Sequence, residues 1–209
     1  MVRNSIVPIL LLTLTLILSA CLNLAQPKNK VEYYTLEYDP PLRGDLLPLS
    51  CTIRVEPFSV SPIYNSNRII YRDRSFKRQA YTYYKWRANP GNLVTYFLGR
   101  DMQQSGLFKA VLPGSSKFPA TFVLEGTVDE FLETDTPNGW EAKLSVSVAF
   151  MGENESDISK KVLFQKTYHT NRSCRQKHPR ALAEAMSLAM SEVSGEIIND
   201  IYSFFDKFE

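Results

Sequence analysis

The pattern of apolar and polar residues predicts a long amphipathic helix in the middle of the chain. After Pro90 the apolar side chains recur at helical spacing and form one stripe: Leu93, Val94, Phe97, Leu98 and Met102. Proline disfavours the helical conformation for the residue before it and suits the first helical position, so Asn89 is the predicted N-cap. Gly106 is predicted to end the helix, because glycine readily adopts the left-handed conformation of a C-terminal cap.

A second amphipathic helix is predicted over residues 179–205, near the end of the chain. Its apolar positions keep the same spacing: Leu182, Met186, Ala189, Val193, Ile197, Ile201 and Phe204. Gly195 lies inside this stretch and weakens an isolated helix by about 1 kcal/mol relative to alanine.

Most of the remaining chain alternates as half-buried strands do. The predicted strands are residues 31–38, 51–58, 68–72, 81–86, 108–112, 121–132, 140–150 and 162–170. We expect 68–72 and 81–86 to form a hairpin, with Tyr81 and Tyr84 on opposite faces, and the last three strands to form an antiparallel meander. The order of strands, helix, strands and helix favours an α+β fold, with a mixed, mostly antiparallel sheet and two helices packed on one face.

The first residues have the character of a leader. Arg3 is followed by an apolar run over residues 6–18, too short for a comfortable membrane span. Residues 18–21, Leu-Ser-Ala-Cys, resemble the bacterial lipobox, in which the cysteine is acylated and the leader is cut before it. We therefore expect a lipoprotein signal peptide at 1–20, a lipidated tether at 21–30 and one domain at 31–209. The alternative is a plain secretory leader in which Cys21 is incidental.

Acylation of Cys21 would anchor the protein stably, since each buried methylene contributes about 0.8 kcal/mol. The protein would then face the periplasm, and Leu22, in place of an aspartate, favours the outer over the inner membrane by the enterobacterial sorting rule. A formal charge of +2 suggests no polyanion partner, and this location makes nucleic acid an unsuitable one. The two other cysteines, Cys51 and Cys174, could pair in an oxidising compartment or stay as separate thiols.

Residues suited to catalysis or metal binding are sparse. His169 and His178 have no acidic or thiolate partner at ligand spacing, and there is no Gly-x-Ser-x-Gly elbow. Four acidic residues cluster near one strand end and could be paired carboxylates, but a solvated strand rim suits them better: Asp129, Glu130, Glu133 and Asp135. The sequence therefore predicts no catalytic residues, no metal site and no cofactor.

Residues 68–87 hold seven basic side chains against one acidic residue, Asp73, with aromatic residues between them. In the periplasm this composition suits an anionic headgroup, an acidic partner protein or a second copy of the chain. The candidate contact residues are Arg68, Arg72, Arg74, Tyr83, Trp86 and Arg87. The alternative is a solvated hairpin face, balanced by acidic residues of the last helix: Glu184, Glu192 and Glu196.

An ordered set of short motifs resembles one known family. The set runs YYTL at 33–36, IRVEPFSV at 53–60, IIYR at 69–72, YKWRANPGNLVTYFL at 84–98 and SGLF at 105–108. Together with the lipobox cysteine, it is similar to the ABC-type transport auxiliary lipoproteins, in particular the paraquat-inducible lipoprotein C group. The resemblance implies a fold like the N-terminal domain of TolB, partnership with an ABC permease and mammalian-cell-entry (MCE) domain proteins, and no catalysis.

Three functions follow from these observations. The first is an interaction module that is tethered to a membrane and docks on a lipid-transport assembly. This module could also act as a homo-oligomer. The second is a direct lipid carrier, with a cavity between the aromatic sheet and the helices. The third is a structural lipoprotein of the envelope.

Overall fold

A computed structural model of the chain describes residues 30–41 and 46–206, which form a mixed α+β fold. The predicted signal peptide at 1–20 and the lipidation site Cys21 lie outside the described residues, as does the tether up to residue 29. None of the described helices is long and apolar enough to cross a bilayer.

The described residues form nine strands and three helices. The strands are β1 Glu32–Tyr34, β2 Leu49–Val55, β3 Ser59–Val60, β4 Arg68–Arg72, β5 Arg78–Trp86, β6 Phe108–Pro113, β7 Phe122–Thr136, β8 Gly139–Gly152 and β9 Val162–Cys174. The helices are α1 Pro90–Gln104, α2 Ile158–Lys161 and α3 Pro179–Asp206. The predicted strands and both long helices are present, whereas the short strand β3 and the short helix α2 were not predicted.

The sheet is built around β7, its longest strand. β8 lies antiparallel along one edge of β7, and β9 lies antiparallel to β8, which confirms the predicted meander. The other edge of β7 accommodates β2, β3 and β4 in succession, with Ile53 opposite Phe122 and Tyr71 opposite Glu133. A strand of 15 residues is long enough to pair with three short ones.

The prediction of a mostly antiparallel sheet holds for the meander and for the β4–β5 hairpin but not for the other strand pairs. The pairs β1–β5, β2–β6, β2–β7, β3–β7 and β4–β7 are all parallel. Alternation of side chains specifies which face of a strand is buried but not the direction of its neighbour, so this part of the topology could not be seen in the pattern.

Helix α1 has the predicted ends. The Oδ1 atom of Asn89 accepts a hydrogen bond from the Gly91 backbone N–H at 2.9 Å, and Pro90 is the first helical residue. Gly106 has φ +68°, a left-handed conformation that suits glycine, and Leu107 after it is buried. These contacts satisfy part of the backbone that every helix end leaves unpaired.

The core lies between one face of the sheet and the two long helices, which also contact each other. The predicted apolar stripes of α1 and α3 both contribute to it, and so do alternate residues of β8: Leu144, Val146, Val148 and Phe150. Gly126 of β7 allows a close approach here, because a Cβ atom at this position would lie 2.4 Å from the Ser147 carbonyl oxygen and 2.5 Å from the Phe58 ring.

Strand β1 is shorter than the predicted 31–38, because the chain leaves the sheet after Tyr34 to cover the helices. The Tyr38 ring stacks on Phe97 with a centroid distance of 5.4 Å, and its hydroxyl donates to Asp101 at 2.7 Å. Asp101 is fully buried and also accepts a hydrogen bond from Arg100 at 2.7 Å. Contacts with side chains far along the chain therefore end this strand early.

Candidate interaction surface on the β4–β5 hairpin

The candidate surface is the hairpin of β4 and β5. Arg68 faces Lys85 near its open end, and Arg72 faces Arg78 at the last pair before the turn. Between these pairs β5 has three more residues than β4, so the hairpin contains a bulge. The bulge breaks the alternation of side chains.

The bulge overturns the prediction that Tyr81 and Tyr84 lie on opposite faces. Their rings are in contact, with centroids 5.8 Å apart, and Tyr81 also contacts Tyr71 across the hairpin at 4.8 Å. An aromatic cluster therefore lies on the helix side of the hairpin, where it forms part of the packing.

The prediction that Trp86 contacts a partner is wrong. Its side chain is 1% exposed and packs edge-to-face on Phe131, with ring centroids 5.1 Å apart. The large apolar area of a tryptophan side chain makes its burial favourable, and Trp86 lies at the end of a strand that enters the core. Trp86 is a core residue.

The basic residues remain on the surface. Arg68, Arg74 and Arg87 are exposed and Arg72 is half-buried, and within the described part of the chain none of the four forms an ion pair. The alternative, in which the last helix balances this charge, finds no support in the pairs that are observed. Glu184 pairs with Arg180 of its own helix, and Glu192 pairs with Arg172 of β9.

Two parts of the surface differ in composition. We call the first the hairpin base; it consists of Arg68, Tyr83, Arg87 and the neighbouring Tyr33 of β1. Tyr33 and Tyr83 are 50% and 42% exposed, and the Arg87 guanidinium lies over the Tyr33 ring at 5.5 Å. The hairpin base is thus a mixed aromatic and cationic patch.

We call residues 72–78 the hairpin tip. Phe76 is the most exposed large apolar residue in the described chain, and its side chain is as accessible as in an unfolded segment. The only acidic group of the tip, Asp73, accepts hydrogen bonds from the Ser75 hydroxyl and backbone N–H, which lower the pKa of Asp73. Four cations therefore flank an exposed phenylalanine.

The acidic cluster is not the solvated rim that we expected. Glu133 is fully buried: the Tyr81 hydroxyl donates to its Oε1 at 3.0 Å, and its Oε2 has no hydrogen-bond partner among the described residues. Burial raises the pKa of Glu133. The bulge of β7 next to Asp129 turns Phe131 and Glu133 to the same face as Val128, and the alternation pattern alone gave no sign of it.

The other three acidic residues each have a partner of their own. Asp129 accepts a hydrogen bond from Ser147 at 2.6 Å, Glu130 pairs with Lys143 at 2.8 Å, and Asp135 pairs with Lys177 at 2.9 Å. The hydrogen bond to Asp135 raises the pKa of Lys177. Each of these three carboxylates is therefore held by a neighbouring side chain.

The two cysteines of the folded part do not form a disulfide. Cys51 lies in β2 and Cys174 ends β9, and both are free and buried. Two strands, β7 and β8, separate them, so their backbones are at least about 14 Å apart, whereas a bridge requires less than about 7 Å. Burial raises the pKa of each thiol to about 11.

The histidines are also apart. His169 is exposed on β9, and His178 Nδ1 accepts a hydrogen bond from the Arg180 N–H at 3.1 Å, at the start of α3. Within residues 30–41 and 46–206, no group of three His, Cys, Asp or Glu side chains is placed to hold a metal ion.

A large groove of about 1060 Å³ lies over the sheet face that the helices leave open. Its walls include alternate residues of β7, β8 and β9 and the Arg54–Glu153 ion pair: Glu125, Thr127, Ser147, Gln165 and Thr167 are among them. The groove is mostly polar, which distinguishes it from the core on the opposite face.

Comparison with known proteins identifies the fold. No family model and no curated protein matches the sequence. A protein of the DUF330 family from Xanthomonas campestris has a TM-score of 0.76 and 17% identity, over 85% of this chain and 98% of that one. A hypothetical protein from Chlamydia trachomatis has a TM-score of 0.53 and 12% identity, over 75% of this chain and 98% of that one. At these identities the similarity shows a shared fold and no more.

Proposed function

We propose that the protein is an envelope lipoprotein that acts as a non-catalytic auxiliary component of an ABC/MCE-type transport system for lipids or other hydrophobic molecules. Acyl chains on Cys21 hold it at a membrane, preferably the outer one, and the domain at 31–209 docks on the transport proteins. The lipobox-like residues and the family-like motifs support this proposal, as does the fold shared with the DUF330 protein. Likeness to the N-terminal domain of TolB is part of the same proposal.

The composition of the hairpin base is the observation that supports the docking role most strongly. Arg68 and Arg87 are exposed without an ionic partner in the described chain, and they lie beside Tyr33 and Tyr83. Arginine and tyrosine are enriched in protein interfaces, because they combine a large contact area with specific hydrogen bonds. A partner with acidic groups would neutralise these arginines on binding.

The direct-carrier alternative has less support. The space between the sheet and the helices is filled by apolar side chains such as Leu98, Leu124 and Met186, which are fully buried. The groove on the open face is large enough for a lipid but is lined mostly by polar and charged groups, which favour water over acyl chains. A positional role therefore fits the described residues better than a carrier role.

The test is site-specific photocrosslinking in intact cells. A photoreactive amino acid replaces Tyr83 in the hairpin base, and Tyr96 of α1, which is 66% exposed, is the matched control site. We expect MCE-domain or ABC-permease proteins to crosslink at position 83 and not at position 96, as identified by mass spectrometry.

Equal adducts at positions 83 and 96 would contradict docking through the hairpin base. Adducts only with cell-wall or structural proteins would favour the structural-lipoprotein alternative.

A further inference from the structure

The hairpin tip has a composition that the docking role does not require. Arg72 and Arg78 face each other directly across the two strands, although like charges in this position destabilise a hairpin. Arg74 and Lys77 add two more cations in the turn, and Phe76 between them makes no contact that would hold it against the protein. A soluble domain gains nothing in stability from this arrangement.

An anionic bilayer surface complements both features. Phosphate headgroups attract basic side chains, and an aromatic ring among them can enter the boundary between headgroups and acyl chains. We propose that the hairpin tip is a second membrane contact, in which Phe76 inserts into an anionic phospholipid surface and the four basic residues bind the headgroups. This inference rests on the proposed acyl anchor at Cys21 and adds a lipid-binding site to it.

The described chain begins on the side of the domain where the hairpin tip lies. β1 is parallel to β5, with Glu32 opposite Tyr84, and β5 begins at the hairpin tip. The chain therefore enters β1 from the side of the tip. The tip lies about 20 Å along β5 from Tyr84, whereas the eleven residue steps from Cys21 to Glu32 can span up to roughly 40 Å. A membrane that holds Cys21 is thus within reach of Phe76.

The test places an environment-sensitive fluorophore on the tip of the full lipoprotein. In a Phe76→Cys variant the new thiol is the only accessible one, since Cys51 and Cys174 are buried and the Cys21 sulfur is acylated in the proposed mature protein. The control variant is Phe118→Cys. Phe118 is also exposed, and it lies between β6 and β7, near the end of β7 opposite to the one that faces the tip.

Both labelled proteins are reconstituted in vesicles of phosphatidylcholine alone or mixed with phosphatidylglycerol. We expect the label at position 76 to become several-fold brighter and to be quenched by spin-labelled acyl chains only in the anionic vesicles. The label at position 118 should not change. Lys77→Gln and Arg78→Gln should each lower the ratio of inserted to free tip roughly fivefold, and salt at about 1 M should have the same direction of effect.

Three results would overturn the inference. If the protein floats with the vesicles while the label at position 76 stays in water, the proposed membrane contact of the tip is refuted and the proposed acyl anchor is retained. If the label at position 76 responds to protein concentration and not to lipid charge, the tip binds a second copy instead. Failure of the protein to float at all would overturn both the inference and the proposed anchor.

Discussion

Glu133 provides a sharp test of the interior near the hairpin, because its carboxyl group is buried and forms no ion pair with any residue that the structure describes. The perturbation is Glu133→Gln, which keeps the size of the side chain and an oxygen that can accept from the Tyr81 hydroxyl. It removes only the ability to ionise. Burial, the main cause, raises the pKa of the folded carboxyl above its value in the unfolded chain, which is about 4.3.

The sign of the pH dependence follows from this shift. Below about pH 4 the carboxyl is protonated in both states, so ionisation costs nothing. As the pH rises from there to the pKa of the folded state, the unfolded chain loses its proton first. The free energy of unfolding then falls by about 1.4 kcal/mol for each pH unit in this window and stays lowered above it. The Glu133→Gln variant lacks this loss, so its advantage over the natural protein should grow with pH.

The assay is urea unfolding, followed by tryptophan fluorescence, of the natural protein and the variant at several pH values. The difference between the two proteins isolates Glu133, because all other groups titrate in both. Tyr81→Phe removes the hydrogen bond that favours the ionised form, so it should raise the pKa of Glu133 further and extend the falling region to higher pH. A difference that is constant with pH, or a natural protein that gains on the variant as the pH rises, would refute the reasoning.

Three other predictions concern the packing. Gly126→Ala should lower the free energy of unfolding by about 1–3 kcal/mol, since the new Cβ would meet a backbone carbonyl oxygen. Gly99→Ala should raise it by about 1 kcal/mol, because Gly99 lies in α1 with open space around it. Thermal melts that rank the two variants in the opposite order would contradict this. Asp101→Ala should lower it by about 3 kcal/mol in urea unfolding, because a buried pairing with the adjacent arginine is lost; an effect below about 1 kcal/mol argues against the pairing. Cys51 and Cys174 should both react with a maleimide after denaturation without reductant, and neither before it; two unreactive thiols in the denatured protein would indicate a disulfide.

The sequence predicted most of the elements because their signals are local. The end of α1 at Gly106 and its start at Asn89 depend on single residues with restricted or special backbone conformations. The alternation in β8 likewise needs only one buried face. Such features could be read from short windows of the chain.

The errors lie where two distant segments meet. Trp86 was assigned to the surface because it lies in a run rich in basic residues. Glu133 was assigned to the surface because the bulge in β7 that turns it inward leaves no simple mark in the alternation. The parallel pairing of β1 with β5 also depends on contacts between segments far apart in sequence. For the candidate surface, composition identified the basic hairpin, but only the structure separated an aromatic base from an exposed tip around Phe76.

The central claim, that acyl chains on Cys21 anchor the protein, is tested most directly by mass spectrometry of its N-terminal peptide after extraction from membranes. We predict a peptide that begins at Cys21 and carries the mass of the attached acyl groups. A peptide that begins at another residue, or an unmodified Cys21 in membrane-bound protein, would contradict the account.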